Sequence, residues 1–327
     1  MAYDKLPMLT VSVIIPCYNS ERFLSETIKS LLAQDFPGWE CILVDDGSTD
    51  ATFQIASDLI AGDPRMRIIR QRNVGRALAL MAGYAHATPE TRYIFFLDSD
   101  DLLEPSALRI LSTYLDNHPE VAVAGCWSQL IDKDGNEING QARSRWVPGK
   151  LLPRQLERHE VATPFTAFYC CTGQGPFAMH RRSAFDETTG FDPRFSEFSL
   201  HEDTDLFCQM ALQGEVHYLP NQLYRTRIHG HNVSKGNNKV QLAHARFREK
   251  WDNYVAPNAA QQMKVEAARR FYFGTFGPCR DLKVASEAFG QFLTRGDIKA
   301  AQWGLHLIGN AIRHAVSVRS ERSPKAL

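Results

Sequence analysis

Residues Tyr93-Ile94-Phe95-Phe96-Leu97-Asp98-Ser99-Asp100-Asp101 form an apolar run that ends in three carboxylates within four residues. An uninterrupted apolar run bounded by polar residues predicts a fully buried strand of a parallel sheet. Open α/β sheets bind their ligands at the carboxyl ends of such strands. Carboxylates this close repel one another unless they are solvated or neutralised by a cation, and their oxygens suit a hard divalent ion such as Mg²⁺ or Mn²⁺. The alternative is a helix-capping turn, with Asp101 as N-cap and Glu104-Pro105 in the first turn.

A second predicted strand, residues 41–44, also runs into acid, at Asp45-Asp46-Gly47-Ser48-Thr49-Asp50. Because the carboxyl ends of neighbouring parallel strands open onto one crevice, we expect the two acidic segments to face the same ligand. Asp46 is then placed to accept a hydrogen bond from a nucleobase N–H, while Asp98 and Asp100 meet the ribose and a metal. The alternative for residues 45–50 is a glycine-containing turn in which Ser48 or Asp50 caps the next helix.

Strand and helix patterns alternate through the first 126 residues. Apolar β-branched runs predict strands at 11–15, 41–44, 66–69, 93–97 and 121–126, and amphipathic stretches predict helices at 21–34, 51–61, 76–85 and 105–117. The alternation predicts an α/β fold with a mostly parallel sheet and right-handed crossovers. The sequence contains neither GxGxxG nor GxxxxGK[ST], so dinucleotide-binding and P-loop functions are not supported.

The composition, with 44% hydrophobic and 23% charged residues, is ordinary for a soluble globular protein of 327 residues. Residues 241–327 hold 14 lysines and arginines against 7 acidic residues, which fits either an anionic membrane surface or a solvated face. Seven cysteines without a CxxC pair predict reduced thiols. We find no signal peptide and no run long enough to span a bilayer, and we therefore expect a cytoplasmic location.

Four segments resemble, in order and spacing, the motifs of family 2 glycosyltransferases with the GT-A fold. They are residues 13–19 (VIIPCYN), 44–50 (VDDGSTD), 73–77 (NVGRA) and 97–101 (LDSDD). The resemblance covers roughly residues 11–234 and implies a GT-A fold, Rossmann-like, with a mostly parallel sheet flanked by helices. One departure is the stretch Ala79-Leu80-Met81-Ala82-Gly83, where the family often has Ala-Arg-Asn-x-Gly.

The predicted organisation is a catalytic domain over residues 1–235 followed by a helical C-terminal region over 236–327. The catalytic domain divides into a nucleotide-binding half, about 10–127, and an acceptor half, about 128–235. We expect a hairpin around Asp134-Gly135 and a glycine-rich turn at 172–176, which lies near the donor sugar or is a plain turn. C-terminal helices are predicted at 242–254, 259–272, 282–293 and 298–316, and they contact the catalytic domain, a second subunit or the membrane surface.

The resemblance also implies roles for individual residues. Those expected to bind the nucleotide are Pro16, Tyr18, Asn19, Asp46, Asn73, Arg76 and Asp98. Asp98-Ser99-Asp100 matches the family's DxD motif, so Asp100, with help from Asp98 and His229, is expected to hold Mn²⁺ or Mg²⁺. His231 is the alternative to His229.

Asp203 matches the general base of inverting family members, and Glu202 lies beside it. A sugar hydroxyl is a poor nucleophile that must lose its proton as it attacks, which a carboxylate can accept. Acidic residues in the first turn of a helix are also favoured by the helix dipole whatever else they do, so a purely structural role remains open.

Taken together, the resemblance implies an inverting glycosyltransferase that moves a sugar from a nucleoside-diphosphate sugar to a hydroxyl of a glycan or lipid-linked acceptor. UDP is the commonest nucleotide in the family, with GDP and dTDP open. We expect no nucleic-acid partner and a cytoplasmic location. Peripheral contact with the inner face of the membrane and a homodimer through the C-terminal helices are open alternatives. Two other functions are considered, a catalytically silent relative that binds a sugar nucleotide and a nucleotidyltransferase.

Overall fold

The computed structural model describes residues 9–143, 161–162, 178–195, 201–230, 242–243, 246–247, 249–251 and 253–268. The chain divides into two compact units, 1–146 with 159–249 and 147–158 with 250–327. Every residue predicted for the site lies in the first unit.

The first half of the chain forms the parallel sheet that the alternating pattern predicts. Its strands are β1 (Val11–Cys17), β2 (Trp39–Asp45), β3 (Met66–Arg70) and β4 (Tyr93–Phe96), in the spatial order β3-β2-β1-β4. All pairings in this group are parallel, and every residue of β1, β2 and β4 is buried. Continuous apolar runs therefore form central strands covered on both faces, as expected of a parallel sheet.

The connecting helices are α1 (Leu24–Leu32), α2 (Thr52–Ile60), α3 (Arg76–Ala85) and α4 (Ala107–Asn117). Leucines and isoleucines of α1 and α4 belong to one core cluster with Val11, Val13 and Ile15 of β1. Ile14 points the other way, toward α3, where a Cβ on Gly83 would lie only 2.4 Å from the Ile14 Cγ2 atom. Glycine at position 83 thus lets α3 pack closely against β1.

The second half makes the sheet mixed. Its strands are β5 (Leu102–Leu103), β6 (Val121–Ile131), β7 (Glu137–Arg143), β8 (Val161–Ala162), β9 (Ala178–Arg181) and β10 (Glu215–Arg227). Strand β9 lies antiparallel between β4 and β6, β10 runs parallel to β6, and β5 pairs antiparallel with β10. The predicted hairpin is confirmed, since β6 and β7 pair antiparallel around Asp134-Gly135. Strand β6 continues five residues past the predicted end at 126.

Further described helices are α5 (Arg182–Asp186), α6 (Glu202–Gln213) and α7 (Ala259–Ala268), with a 3₁₀ turn at Pro193–Phe195. Residues 242–243, 246–247 and 249–251 are also helical, which confirms part of the helix predicted at 242–254. Helix α7 confirms part of the predicted helix at 259–272, whereas the helices predicted at 282–293 and 298–316 lie outside the described residues. No described helix combines the length and apolar character that crossing a membrane requires. The cysteines in the described part of the chain, Cys17, Cys41, Cys126 and Cys208, are buried free thiols, in line with the reduced state predicted.

Candidate active site

The acidic end of β2 holds the loop that leads into α3. Asp46 is buried, and its Oδ1 atom accepts hydrogen bonds from Gln71 Nε2 at 2.8 Å and the Val74 amide at 3.0 Å. Its Oδ2 atom accepts from the Gly75 amide at 2.9 Å. Gly47 follows with φ of +77°, and a Cβ there would lie 2.7 Å from the Asn73 amide nitrogen. The carboxylate and the adjacent glycine therefore let residues 71–75 pack against the end of β2.

Gly75 is the N-cap of α3, with φ of +91°, so the loop held by Asp46 fixes where the helix begins. Arg76, the first residue of that helix, therefore lies at the carboxyl end of the sheet. The nucleobase contact predicted for Asp46 stays a prediction, and both of its oxygens already have partners within the protein.

Arg76 lies among three carboxylates. Its Nε and Nη2 atoms donate to Asp98 Oδ1 at 3.1 and 2.7 Å, and its Nη1 atom donates to Glu202 Oε1 at 3.1 Å and Asp203 Oδ1 at 3.2 Å. The structure thus brings together Asp98 from the end of β4 and the acidic pair from α6, which are more than 100 residues apart in the sequence.

Glu202 and Asp203 form the first turn of α6, where the helix dipole favours negative charge. Glu202 is almost fully buried, and its Oε2 atom has no hydrogen-bond partner among the described residues. Burial raises the pKa of Glu202 to about 7, an effect that Arg76 opposes and Asp203 reinforces. Burial also raises the pKa of Asp203, with Arg76 opposing the shift and Asp98 adding to it. The Asp203 side chain is 26% exposed, so a ligand can reach it.

Asp100 and His229 form the second polar pair of the site. His229 Nε2 lies 2.9 Å from Asp100 Oδ2, and its ring packs against Phe23, with centroids 4.9 Å apart. Burial raises the pKa of Asp100, the neighbouring charge of Asp98 raises it further, and the bond to His229 opposes the shift.

Arg227 organises the acidic turn and was not identified from the sequence. It is fully buried; its amide donates to Asp101 Oδ1 at 2.8 Å and its Nε atom to the Asp100 carbonyl at 3.0 Å. Its Nη2 atom pairs with Glu26 at 2.8 Å. No strand was predicted at position 227, and the partners that a buried charge requires come here from distant segments, so the sequence carried no local signal for this residue.

The helix-capping alternative for the acidic turn is wrong. Helix α4 has Ser106 as its N-cap, without a side-chain capping bond, and Asp101 instead accepts from Arg227. Burial, followed by the charges of Asp100 and Asp98, raises the pKa of Asp101 well above its usual range. Asp101 is therefore buried and stabilises the turn, whereas the side chains of Asp98 and Asp100 are partly exposed.

The donor chemistry of this turn fits a divalent cation. Asp100 and His229 supply an oxygen and a nitrogen at one position, whereas Asp98 Oδ1 is already bonded to Arg76. Within the described residues, no group of three or more His, Cys, Asp and Glu side chains is arranged to hold a metal. Mg²⁺ commonly has only one or two protein ligands, and substrate phosphates and water complete its coordination. The assignment of Asp98, Asp100 and His229 as ligands stays a prediction.

The other residues predicted to bind nucleotide lie around the ends of β1 and β2. Pro16 pairs with Val44 inside the sheet, and Tyr18, just beyond β1, is 52% exposed. Asn19 adopts φ of +50°, its Oδ1 atom accepts from the Thr49 amide at 2.9 Å, and its own amide donates to Ser48 Oγ at 3.0 Å. Asn19 thereby ties the two strand ends together.

Asn73 is exposed in the loop that Asp46 holds. His231 and the glycine-rich turn at 172–176 lie outside the described residues.

Comparison with known proteins agrees with the geometry. A family model described as glycosyl transferase family 2 matches residues 12–189. Chondroitin synthase from Escherichia coli is 29% identical over 231 residues, which cover 68% of this chain and 30% of that protein. Putative glycosyltransferase EpsE from Bacillus subtilis is 33% identical over 222 residues, covering 66% of this chain and 72% of EpsE. The chain therefore spans less than a third of the synthase but most of EpsE.

The fold matches that of S. aureus TarS residues 1–349 in complex with UDP-GlcNAc, with a TM-score of 0.61 and 20% sequence identity over 93% of this chain and 81% of TarS 1–349. This likeness confirms the predicted GT-A fold. Because the family model spans more than half of the sequence and EpsE matches over most of its length, this chain belongs to glycosyl transferase family 2.

Proposed function

We propose that this protein transfers a sugar, with inversion, from a nucleoside-diphosphate sugar to a hydroxyl of a glycan or lipid-linked acceptor. The observation that carries the proposal is the meeting of Asp98, at the carboxyl end of β4, with Asp203, at the start of α6, through Arg76. Carboxylates from the donor-side and acceptor-side halves thus lie at one partly exposed position, as a displacement between two bound substrates requires.

The proposed reaction is a single displacement. The acceptor oxygen forms a bond to the anomeric carbon on the face opposite the leaving group, the bond from that carbon to the diphosphate oxygen breaks, and the hydroxyl proton passes to Asp203. The products are the glycosylated acceptor and the nucleoside diphosphate. A carboxylate whose proton affinity is raised by burial is better suited to take up this proton than a solvated one.

A divalent ion, Mn²⁺ or Mg²⁺, is proposed to be held by Asp100 and His229, with Asp98 nearby. When bound, such an ion neutralises charge that develops on a departing diphosphate. The protein's own contribution is to hold Asp100 in place, through the contacts of Arg227 with the Asp100 carbonyl and of His229 with the Asp100 carboxylate.

UDP is proposed as the donor nucleotide, supported by the likeness to TarS in complex with UDP-GlcNAc. A glycan acceptor is supported by the match to chondroitin synthase.

A catalytically silent relative is disfavoured because Asp98, Asp100 and Asp203 are all present and partly exposed. The division at residue 235, the role of the C-terminal helices and the cytoplasmic or peripheral location stay predictions.

The proposal is tested by transfer from a panel of UDP-sugars to oligosaccharide acceptors, comparing the wild type with Asp203→Asn. Removing a general base lowers the rate by roughly 10²- to 10⁴-fold, so we expect a loss of that order with unchanged UDP affinity by calorimetry. Asp58→Asn, an exposed change on α2, is the matched control. Full activity in Asp203→Asn would exclude this residue as the base, and UDP binding without transfer by the wild type would favour the silent relative.

A further inference from the structure

The guanidinium of Arg76 connects carboxylates that belong to different parts of the fold. Two of its nitrogens bind Asp98, after β4, and the third binds Glu202 and Asp203, at the start of α6. Its side chain is 19% exposed, and Glu202 is only 2% exposed, so most of this contact is shielded from water.

The geometry of arginine makes this connection directional. The guanidinium is planar and rigid, so fixing Nε and Nη2 on Asp98 also fixes the direction in which Nη1 points. The backbone of Arg76 is fixed separately, because Asp46 holds the Val74 and Gly75 amides that precede it. A lysine carries a single ammonium on a flexible stem and cannot reproduce both contacts.

The charges of Arg76 and its three carboxylate partners also favour this contact. Asp98, Glu202 and Asp203 would repel one another at this distance without a cation between them. Burial disfavours the charge on Arg76, but Asp203, Asp98 and Glu202 outweigh this and hold its pKa well above the usual value. Arg76 thus remains a cation, and its single positive charge offsets part of the negative charge of the three carboxylates.

One oxygen of Asp203 is used by this contact and the other is not. Oδ1 accepts from Arg76 Nη1 at 3.2 Å, while Oδ2 accepts no hydrogen bond from the described residues. An acceptor hydroxyl can therefore approach Oδ2 while Arg76 holds Oδ1.

We propose that Arg76 is a positioning residue for sugar transfer, which holds Asp203 in register with Asp98 so that the base faces the donor's anomeric carbon. The inference rests on the proposed transferase function and assigns Arg76 a role beyond the nucleotide contact predicted for it. It follows that the shape of the guanidinium matters as well as its charge.

The kinetic experiment compares Arg76→Lys and Arg76→Gln, with Arg109→Gln as control. Arg109 lies on α4, outside the site, and forms a half-exposed ion pair with Asp35. We expect kcat for transfer to fall at least about tenfold in both Arg76 variants while donor KM changes less than about threefold, because the loss falls on the transition state. Near-wild-type kcat in Arg76→Lys would overturn the inference, since charge alone would then suffice.

A double-mutant cycle tests whether Arg76 acts through Asp203. On the Asp203→Asn background, Arg76→Lys is expected to cause little further loss of kcat, because residues that act as a unit are not additive. Multiplicative losses would overturn the inference and leave Arg76 as an independent contributor.

A second cycle tests the contact without any assay of activity. Arg76→Gln, Glu202→Gln and the double variant are compared by urea unfolding of the full chain. We expect the shift of the unfolding midpoint in the double variant to differ from the sum of the single shifts. Additive shifts would overturn the inference even in an active enzyme, whereas a coupled pair in a protein that transfers no sugar would overturn the proposed function and the role in transfer with it.

Discussion

The two acidic strand ends look alike in the sequence but differ in what binds their carboxylates. Asp46, after β2, is buried and bonded to backbone amides and one glutamine. Asp98 and Asp100, after β4, are 27% and 29% exposed and are bonded through the side chains of Arg76 and His229. Backbone donors can leave Asp46 only if the loop unfolds, whereas side-chain donors can rotate toward a ligand. One acidic end is therefore held mainly by the protein's own loop, whereas the other is partly exposed, as the ligand-binding role proposed above requires.

The strongest test of this contrast is Asp46→Asn. The carboxylate of Asp46 accepts three buried hydrogen bonds, and the amide nitrogen of asparagine cannot accept any of them. At least one bond is therefore lost or weakened, which lowers the unfolding free energy by about 2 to 3 kcal/mol. Urea unfolding measures this loss. If stability is instead unchanged and UDP affinity falls, Asp46 acts primarily on the nucleotide.

Asp100→Asn is expected to affect ligand binding and not stability. Loss of the charged ligand should weaken UDP binding in Mn²⁺ at least about tenfold, or about 1.4 kcal/mol. Unfolding free energy should stay level or rise, because burial and Asp98 disfavour the ionised form of Asp100 in the folded state. Calorimetry with Mn²⁺ and with EDTA, together with urea unfolding, separates the two effects. Equal weakening in EDTA would argue against a metal role for Asp100.

Glu202→Gln extends the contrast to pH. The folded pKa of Glu202, about 7, lies above its ordinary value of 4.5, so the folded state binds a proton that the unfolded state has released between these two values. The stability of the wild type relative to Glu202→Gln should therefore decrease as pH rises from about 4.5 to 7 and level off above that.

Urea unfolding of both proteins between pH 5 and pH 8 measures the trend for Glu202. A difference that does not vary with pH would show that Arg76 keeps Glu202 ionised throughout this range.

The smallest effect is expected at an exposed ion pair. Arg109 and Asp35 contact each other at 2.8 Å, and their side chains are 50% and 41% exposed. Exposed pairs of this kind contribute little to stability, so Arg109→Gln should leave both the midpoint of urea unfolding and the affinity for UDP close to their wild-type values. A larger effect would mean that the losses expected for Asp46→Asn and Asp100→Asn reflect the removal of any charge and not the location of these two residues.

Local patterns in the sequence were enough to predict much of this protein. Short apolar runs predicted β1 to β4, the 3.6-residue periodicity predicted α3 at its observed limits, and Asp134-Gly135 predicted the hairpin. Each of these signals depends on neighbouring residues, which is why the sequence carries them. The order and spacing of the acidic motifs likewise predicted the family.

Other features depended on contacts between distant residues. The antiparallel insertion of β9, the bonding of Arg76 to α6, and the burial of Arg227 beneath the acidic turn have no local sequence signal. The same is true of Asp46 and Asp98, since an aspartate after a strand looks the same whether its partners are amides or arginines.

The sequence by itself thus determined the strands and helices of the parallel half, the acidic strand ends and the family, because hydrophobic periodicity and motif spacing are properties of short segments. The tertiary structure alone decided which carboxylate is buried among backbone amides and which is partly exposed and bonded to side chains. The physical reason is that the state of a carboxylate depends on its burial and on the donors that face it, and here those donors come from as many as 129 residues away, as His229 does for Asp100.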